Sequence, residues 1–234
     1  MSFEKRPTRN SKVVSFDCKR WEDFYMKEKI TEIVFVIDRS GSMSGLESDT
    51  IGGFNGMLKK QKNGKGEAYV TTVLFDDRYE VLHDHLSINK IEEMDENQYY
   101  TRGTTALLDA MGLTIKKIEN IVKHQKNSNV IMIIITDGYE NASKEYSSKK
   151  VKQMVSDKKE SGWEFIFLGA NIDAVETAES LGVDRRKASN YHNDEKGIFT
   201  LYQSVAGAIS SMREKNVVSE DCLEDVRKDF KERE

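Results

Sequence analysis

A segment rich in oxygen-bearing side chains, Asp38-Arg39-Ser40-Gly41-Ser42, directly follows an apolar run in the sequence. Asp38 offers a carboxylate where the run stops, and Ser40 and Ser42 offer hydroxyl oxygens from a turn that Gly41 makes feasible. Ligands that are all oxygen suit a hard cation such as Mg²⁺, Mn²⁺ or Ca²⁺. The alternative is a plain strand-to-helix loop in which the serines cap the helix.

Two later segments could add ligands to the same place. Thr136-Asp137-Gly138 follows a second apolar run, and Thr104-Thr105 precedes a segment with helical spacing. Taken alone, the first is a common turn and the second a common helix cap. In open α/β sheets, however, ligands bind beyond the carboxyl ends of the strands. We therefore expect Asp38 and Asp137 to lie at one edge of a sheet.

Alternating strands and helices are predicted to position these segments. Runs rich in β-branched residues predict strands, and apolar residues at helical spacing predict amphipathic helices. The predicted strands are Thr31–Asp38, Ala68–Phe75, Tyr79–His85, Val130–Thr136 and Phe165–Leu168. The predicted helices are Ser48–Lys62, a helix carrying Leu108 to Val122, Ser147–Lys158, Ala174–Leu181 and Gly197–Met212. This alternation predicts an α/β fold: a Rossmann-like open, mostly parallel sheet with one antiparallel edge strand and helices on both faces.

The order of three motifs, Asp-x-Ser-x-Ser, then Thr-Ala-Leu-x-Asp-Ala, then Thr-Asp-Gly, resembles the von Willebrand factor A-type family. The resemblance runs from about Thr31 to about Met212, and Phe167-Leu168-Gly169-Ala170-Asn171 is similar to small stand-alone prokaryotic and phage members. In that family these motifs build a metal-ion-dependent adhesion site. The resemblance implies these metal ligands: Asp38, Ser40, Ser42, Thr105 and Asp137. Thr105 is chosen over Thr104 because it has the family's spacing. We expect the partner-binding rim to consist of Arg39, Met43, Arg102 and Tyr139.

The resemblance implies a protein-binding module without catalysis of its own, which binds Mg²⁺ (or Mn²⁺ or Ca²⁺) and an exposed Asp or Glu of a partner. The hydroxyls are neutral, so only two carboxylates oppose the double charge of the ion. If one or both aspartates act through bridging water, the ion is under-compensated and favours such an acidic ligand. The alternative is a Mg²⁺-dependent phosphohydrolase that uses the same residues. A missing general base argues against it, and Arg39 and Arg102 are the only nearby cations. A third possibility is a module that serves a larger ATP-driven or tellurite-resistance-like complex.

Other polar residues are expected to be structural. His83 and His85 alternate along a strand and could bind Zn²⁺ in principle, but no third ligand is evident, so we expect an exposed edge-strand face. Asp76 and Asp77 are expected to be solvated acids of a turn.

Composition limits the partners and the compartment. The 234 residues have a net charge of -4, which gives no electrostatic reason for binding nucleic acid or an anionic membrane. The chain shows no secretory signal or membrane-spanning run, so we expect a cytoplasmic protein. Cys18 and Cys222 are expected to be free thiols in a reducing compartment, with a disulfide between them as the alternative. Three regions are predicted: an N-terminal extension over residues 1–29, an A-type domain over 30–214, and a charged tail over 215–234 that frays.

Overall fold

Six strands and six principal helices alternate along the chain in a computed structural model that describes residues 29–125 and 127–233. The strands are β1 (Ile30–Asp38), β2 (Ala68–Phe75), β3 (Tyr79–Ser87), β4 (Ser128–Thr136), β5 (Glu164–Gly169) and β6 (Ala188–Asn190). The helices are α1 (Glu47–Lys62), α2 (Leu107–Val122), α3 (Ser148–Glu160), α4 (Ala174–Ser180), α5 (Glu195–Lys215) and α6 (Glu224–Glu232). All predicted elements are present. β6 and α6 were not predicted.

The strands form one sheet in the order β3-β2-β1-β4-β5-β6. β3 is antiparallel to β2 at one edge, and the other pairs are parallel. The predicted fold class is therefore confirmed. β1 lies between β2 and β4, with Asp38 opposite Phe75 and Ile37 opposite Ile135. This register brings the carboxyl ends of three neighbouring strands to the same level.

The sheet separates two hydrophobic cores, because successive side chains of a strand point to opposite faces. Ile33, Phe35 and Ile37 of β1 belong to the core that α1, α5 and α6 cover. Val34 and Val36 belong to the core that α2, α3 and α4 cover. Both faces of β1 are thus buried, which explains its continuous apolar sequence.

The C-terminal segment packs onto the domain, and the prediction that it frays is wrong. Val218, Leu223 and Val226 are each at most 3% exposed and belong to the first core. Leu223, Val226 and Phe230 have helical spacing, but the surrounding charges obscured that pattern in the sequence. The two predictions for the N-terminal extension and for Cys18 fall on residues outside the described part, apart from Lys29.

β3 departs from the expected alternation at its two histidines. The pairing steps from Val70–Leu86 to Thr72–His83 and then to Val73–Val81, so β3 carries two extra residues. His83 is consequently 6% exposed, so the prediction of an exposed face is wrong for this residue. Its Nδ1 lies 3.0 Å from Thr72 Oγ1. Across residues 29–125 and 127–233, no three His, Cys, Asp or Glu side chains are grouped as metal ligands.

No helix within the described ranges is both long and apolar enough to cross a membrane.

Candidate metal centre

The two predicted carboxylates meet at the carboxyl edge of the sheet. Asp38 is the last residue of β1, and Asp137 follows the last residue of β4, the neighbouring parallel strand. Both side chains are buried, with 0% and 1% of their residue surface exposed. The prediction that the two acids lie at one edge is therefore confirmed.

Three hydroxyl groups lie beside these carboxylates. A short 3₁₀ turn, Gly41–Met43, brings Ser42 Oγ to 3.0 Å from Ser40 Oγ and to 2.5 Å from Asp137 Oδ1. A Cβ atom placed on Gly138 would lie 3.1 Å from Thr105 Oγ1, 3.2 Å from Ser42 Oγ and 4.0 Å from Ser40 Oγ. The three hydroxyl oxygens therefore lie close to one another beside Gly138, where a larger residue would crowd Thr105 and Ser42. We call Asp38, Ser40, Ser42, Thr105 and Asp137 the hydroxyl–carboxylate cluster.

Thr105 belongs to the hydroxyl–carboxylate cluster through its loop. It is 3% exposed, whereas Thr104 is exposed. Two backbone hydrogen bonds join its loop to the loop after β1: Gly41 N donates to Gly103 O, and Arg102 N donates to Arg39 O.

The electrostatics of the cluster favour an added cation. Burial raises the pKa of Asp38 to about 6, the neighbouring Asp137 adds to the rise, and hydrogen bonds from Thr136 and Ser40 oppose it. Burial also raises the pKa of Asp137. None of the ion pairs among the described residues includes either acid. Two buried carboxylates and three hydroxyls form an all-oxygen donor set, which fits a hard divalent cation.

Asp38 is held in place from three directions. Ser40 N donates to its Oδ1 at 2.7 Å, and Thr136 Oγ1 donates to its Oδ2 at 2.6 Å. The buried hydroxyl of Tyr99 donates to the main-chain oxygen of Asp38 at 2.7 Å. Burial raises the pKa of Tyr99 well above its usual value, so this phenol stays a donor. The position of Asp38 is therefore fixed by neighbouring side chains and backbone.

Asn141 holds Thr105, and the sequence reasoning missed this residue. Asn141 Oδ1 accepts a hydrogen bond from Thr105 N, and Asn141 N donates to Thr105 O, both at 3.0 Å. The loop after β4 is thus fastened to the threonine. The only sequence signal for this role is the position of Asn141 shortly after the Thr-Asp-Gly motif.

Asp109, the acid of the Thr-Ala-Leu-x-Asp-Ala motif, has a structural role in the same loop. Its carboxylate accepts hydrogen bonds from the backbone N–H groups of Lys144, Glu145 and Tyr146 at 2.7–2.9 Å. Asp109 therefore fixes the path of the β4–α3 loop without belonging to the hydroxyl–carboxylate cluster.

A second group of charged residues lies next to the first. Arg39 Nε is 3.1 Å from Asp76 Oδ2, Arg39 Nη2 is 2.5 Å from Glu80 Oε2, and Arg102 Nε is 2.7 Å from Asp76 Oδ2. We call Arg39, Asp76, Glu80 and Arg102 the arginine cluster. Asp76 is fully buried, so the expectation of a solvated turn acid is wrong. Burial alone would raise the pKa of Asp76, but the hydrogen bond from Arg102 and the two guanidinium charges hold it below its ordinary value.

Two of the four residues predicted to form the rim are buried. Arg39 and Met43 are both 0% exposed, so neither can form a rim. Arg39 turns inward to pair with Asp76, and the short 3₁₀ turn directs Met43 into the interior. Tyr139 is 68% exposed and the Arg102 side chain 29% exposed, so their place on a rim stays a prediction. Tyr100, which was not predicted, is 42% exposed, with the Arg102 guanidinium carbon 5.2 Å from its ring centre.

Known proteins support the fold. The chain is similar in structure to proximal thread matrix protein 1 from the mussel byssus with a zinc-occupied MIDAS motif (16% identity, TM-score 0.55, 78% of this chain and 46% of that one). It is also similar to the vWF domain of the type V pili tip protein Mfa5 from Porphyromonas gingivalis (12% identity, TM-score 0.59, 82% of this chain and 99% of that one). A third similar structure is the manganese-loaded Plasmodium vivax TRAP protein (16% identity, TM-score 0.53, 75% of this chain and 74% of that one). The chain spans less than half the length of the mussel protein.

No curated protein matches the chain. A sequence profile of the von Willebrand factor type A domain matches residues 32–203, which is most of the described part. With the sheet order and the position of the three motifs at its carboxyl edge, this match settles the family. The chain belongs to the von Willebrand factor type A domain family.

Proposed function

We propose that this protein is a metal-dependent protein-binding module. In this proposal Asp38, Ser40, Ser42, Thr105 and Asp137 hold one divalent cation, and an exposed Asp or Glu of a partner protein binds to that cation. Mg²⁺ is the expected ion, with Mn²⁺ and Ca²⁺ as alternatives. A bound cation supplies an electrophilic position for a carboxylate.

The observation that carries the proposal is a pair of buried carboxylates without a cationic side chain. Asp38 and Asp137 take part in no ion pair of the described residues, and the hydrogen bonds that they accept come from neutral groups. Burying charge without compensation is costly, so such an arrangement favours binding an ion from solution. Among structurally similar proteins, the mussel protein has a zinc-occupied MIDAS motif and the Plasmodium protein is manganese-loaded.

The rim supports binding to a protein surface. Tyr139 and Tyr100 are exposed large side chains near the strand ends, and tyrosine is enriched where proteins contact one another. Arg102 lies beside Tyr100 with 29% of its side chain exposed, so it adds hydrogen-bond donors to the same surface. The proposed partner is therefore a protein with an acidic residue on an accessible loop.

The competing function, a Mg²⁺-dependent phosphohydrolase, has less support. Phosphoryl transfer needs cationic groups that stabilise the charge of the phosphate. Arg39 and Arg102 are paired with Asp76 and Glu80, and Arg39 is fully buried. Magnesium-dependent hydrolysis of a simple phosphomonoester, lost in Asp38→Asn, would favour the phosphohydrolase.

The test compares partner capture by three forms of the protein with and without Mg²⁺: wild type, Thr105→Ala and Thr104→Ala. Thr105→Ala removes a neutral ligand without changing charge, and Thr104→Ala is a matched control because that threonine is exposed. We expect proteins that bind wild type and Thr104→Ala in Mg²⁺ to be absent with EDTA and with Thr105→Ala. Equal capture under all conditions would contradict the proposal.

A further inference from the structure

The loop between β6 and α5 also reaches the hydroxyl–carboxylate cluster. Tyr191 N donates to Gly169 O, and the buried Tyr191 hydroxyl donates to Thr136 O at 3.3 Å. These contacts fasten the loop to the ends of β5 and β4. Two residues later, Asn193 Nδ2 donates to Asp137 Oδ2 at 3.1 Å. Asn193 therefore touches a carboxylate of the candidate metal centre directly.

Only half of the Asn193 side chain is satisfied. Its Oδ1 atom is buried and has no hydrogen-bond partner within residues 29–125 and 127–233. The orientation of the amide follows from chemistry, because a carboxylate only accepts hydrogen bonds and so must face the NH₂ group. An acceptor is thus held next to Asp137, where a buried polar atom without a partner is costly.

Asn190 shows what a purely structural asparagine looks like in the same region. Its Nδ2 donates to Ile172 O at 2.5 Å, and its Oδ1 accepts from Ala174 N at 3.2 Å. Both ends of this amide are used to join β6 to the start of α4. Asn193 differs because its Oδ1 atom has no hydrogen-bond partner among the described residues.

We propose that Asn193 is a sixth residue of the metal centre. Its Oδ1 accepts a hydrogen bond from water on the cation or binds the cation itself, while its Nδ2 orients Asp137. An amide oxygen is a hard ligand of the kind that Mg²⁺ and Ca²⁺ accept. Because the amide is neutral, it adds a contact without adding negative charge that would repel a partner's carboxylate. This inference rests on the proposed function.

The experiment measures two quantities for wild type, Asn193→Ala, Asn193→Asp and Asn190→Ala. One is the Kd for Mg²⁺ and for Mn²⁺ by titration calorimetry, and the other is the melting temperature in EDTA. Groups that orient metal ligands typically change metal affinity 10–100-fold. We expect Asn193→Ala to raise both Kd values at least about tenfold, with little change of the melting temperature in EDTA.

Asn193→Asp tests the closeness of residue 193 to Asp137, because it places a negative charge at that position. A third carboxylate beside Asp137 should lower the melting temperature in EDTA through repulsion and increase the stabilisation by Mg²⁺. Asn190→Ala should lower the melting temperature with and without metal and leave both Kd values unchanged, because its contacts lie between β6 and α4.

The outcomes separate this inference from the proposed function. If wild type binds metal and Asn193→Ala binds it with the wild-type Kd, Asn193 is an ordinary loop residue and the inference is overturned. If wild type binds neither ion, the proposed function fails and the inference falls with it. Weaker binding in Asn193→Ala together with unchanged binding in Asn190→Ala would support a sixth residue.

Discussion

Two groups of carboxylates lie side by side at the carboxyl edge of the sheet and are stabilised in different ways. Asp76, which follows β2, is buried against two guanidinium groups, and its pKa is lowered. Asp38 and Asp137, at the ends of β1 and β4, are buried among hydroxyls, and their pKa values are raised. The arginine cluster is neutralised from within the chain. The hydroxyl–carboxylate cluster has no internal cation among the described residues.

The difference between the two clusters assigns different roles to two neighbouring residues at the end of β1. Asp38 and Arg39 are consecutive, yet one belongs to each cluster. A buried ion pair fixes a conformation, whereas an uncompensated pair of acids makes the site dependent on an outside ion. We infer that the arginine cluster holds the loops in the geometry that the hydroxyl–carboxylate cluster needs.

The largest expected effect is loss of the arginine cluster. Arg39→Met keeps much of the side-chain volume but leaves Asp76 with one guanidinium and removes a buried ion pair. Breaking a buried pair typically costs about 3–5 kcal/mol, so we expect the free energy of unfolding to fall by that amount in EDTA and in Mg²⁺ alike. Urea denaturation measures it.

Arg102→Met is the matched control for that prediction. Its side chain is 29% exposed, so solvent compensates part of the loss and the destabilisation should be smaller. Equal, small effects of both substitutions would mean that the arginine cluster does not stabilise the fold.

The second prediction concerns the binding of a divalent cation to the hydroxyl–carboxylate cluster. At a concentration one hundred times its Kd, Mg²⁺ should add about 2.7 kcal/mol to the free energy of unfolding. For a chain of this size that is a rise of roughly 5–10 °C in melting temperature. Thermal melts with EDTA, Mg²⁺ and Mn²⁺ measure it.

Asp38→Asn should remove this rise while keeping the melting temperature in EDTA close to wild type, because it removes a ligand and also a repulsion. A wild-type response to Mg²⁺ in this variant would exclude Asp38 as a ligand.

The sequence predicted the elements better than the side-chain partners. Continuous apolar runs such as Val130–Thr136 and helical spacing in Gly197–Met212 are local patterns, and both elements formed. The motifs also predicted that Asp38 and Asp137 meet, since parallel strands end at a common edge. The direction in which a side chain points was harder to predict from the sequence. Arg39 was expected on the rim, but its partner Asp76 is 37 residues away and no local pattern reveals that pair.

Exposed charged residues also obscured the apolar residues that pack the C-terminal segment onto the core. The C-terminal segment was interpreted by its many charged residues, yet Leu223 and Val226 at helical spacing are enough to dock α6 on the core. His83 was misplaced for a different reason: the bulges of β3 break the period of two on which the prediction depended. Asn193 carried no sequence signal, because its role depends on the loop that brings it to Asp137.

His83 adds a third way of burying an ionisable group, which is to keep it neutral. Burial, with a smaller contribution from Lys62, lowers the pKa of His83 to about 4, from 6.5. Above pH 6.5 both folded and unfolded states are neutral, so stability is complete. As the pH falls from 6.5 towards 4 only the unfolded state gains the proton, and stability is lost.

We expect this loss to be about 1–2 kcal/mol between pH 7 and pH 5. His83→Gln should reduce the difference between the two pH values, as measured by urea denaturation in EDTA. His124→Gln is the control because His124 is exposed. The same pH dependence in wild type and in His83→Gln would contradict a neutral His83.

The smallest expected effect lies where the two clusters join. The Tyr99 hydroxyl donates to the main-chain oxygen of Asp38, the residue before Arg39, at 2.7 Å. The Tyr191 hydroxyl donates to the main-chain oxygen of Thr136 at the longer distance of 3.3 Å. Replacing tyrosine by phenylalanine keeps the ring and removes only the hydroxyl. Tyr99→Phe should therefore cost about 1 kcal/mol and Tyr191→Phe about 0.5 kcal/mol. If Tyr99 holds the backbone that both clusters share, its loss should be equal in EDTA and in Mg²⁺. A loss confined to Mg²⁺ would show instead that Tyr99 acts on the hydroxyl–carboxylate cluster alone.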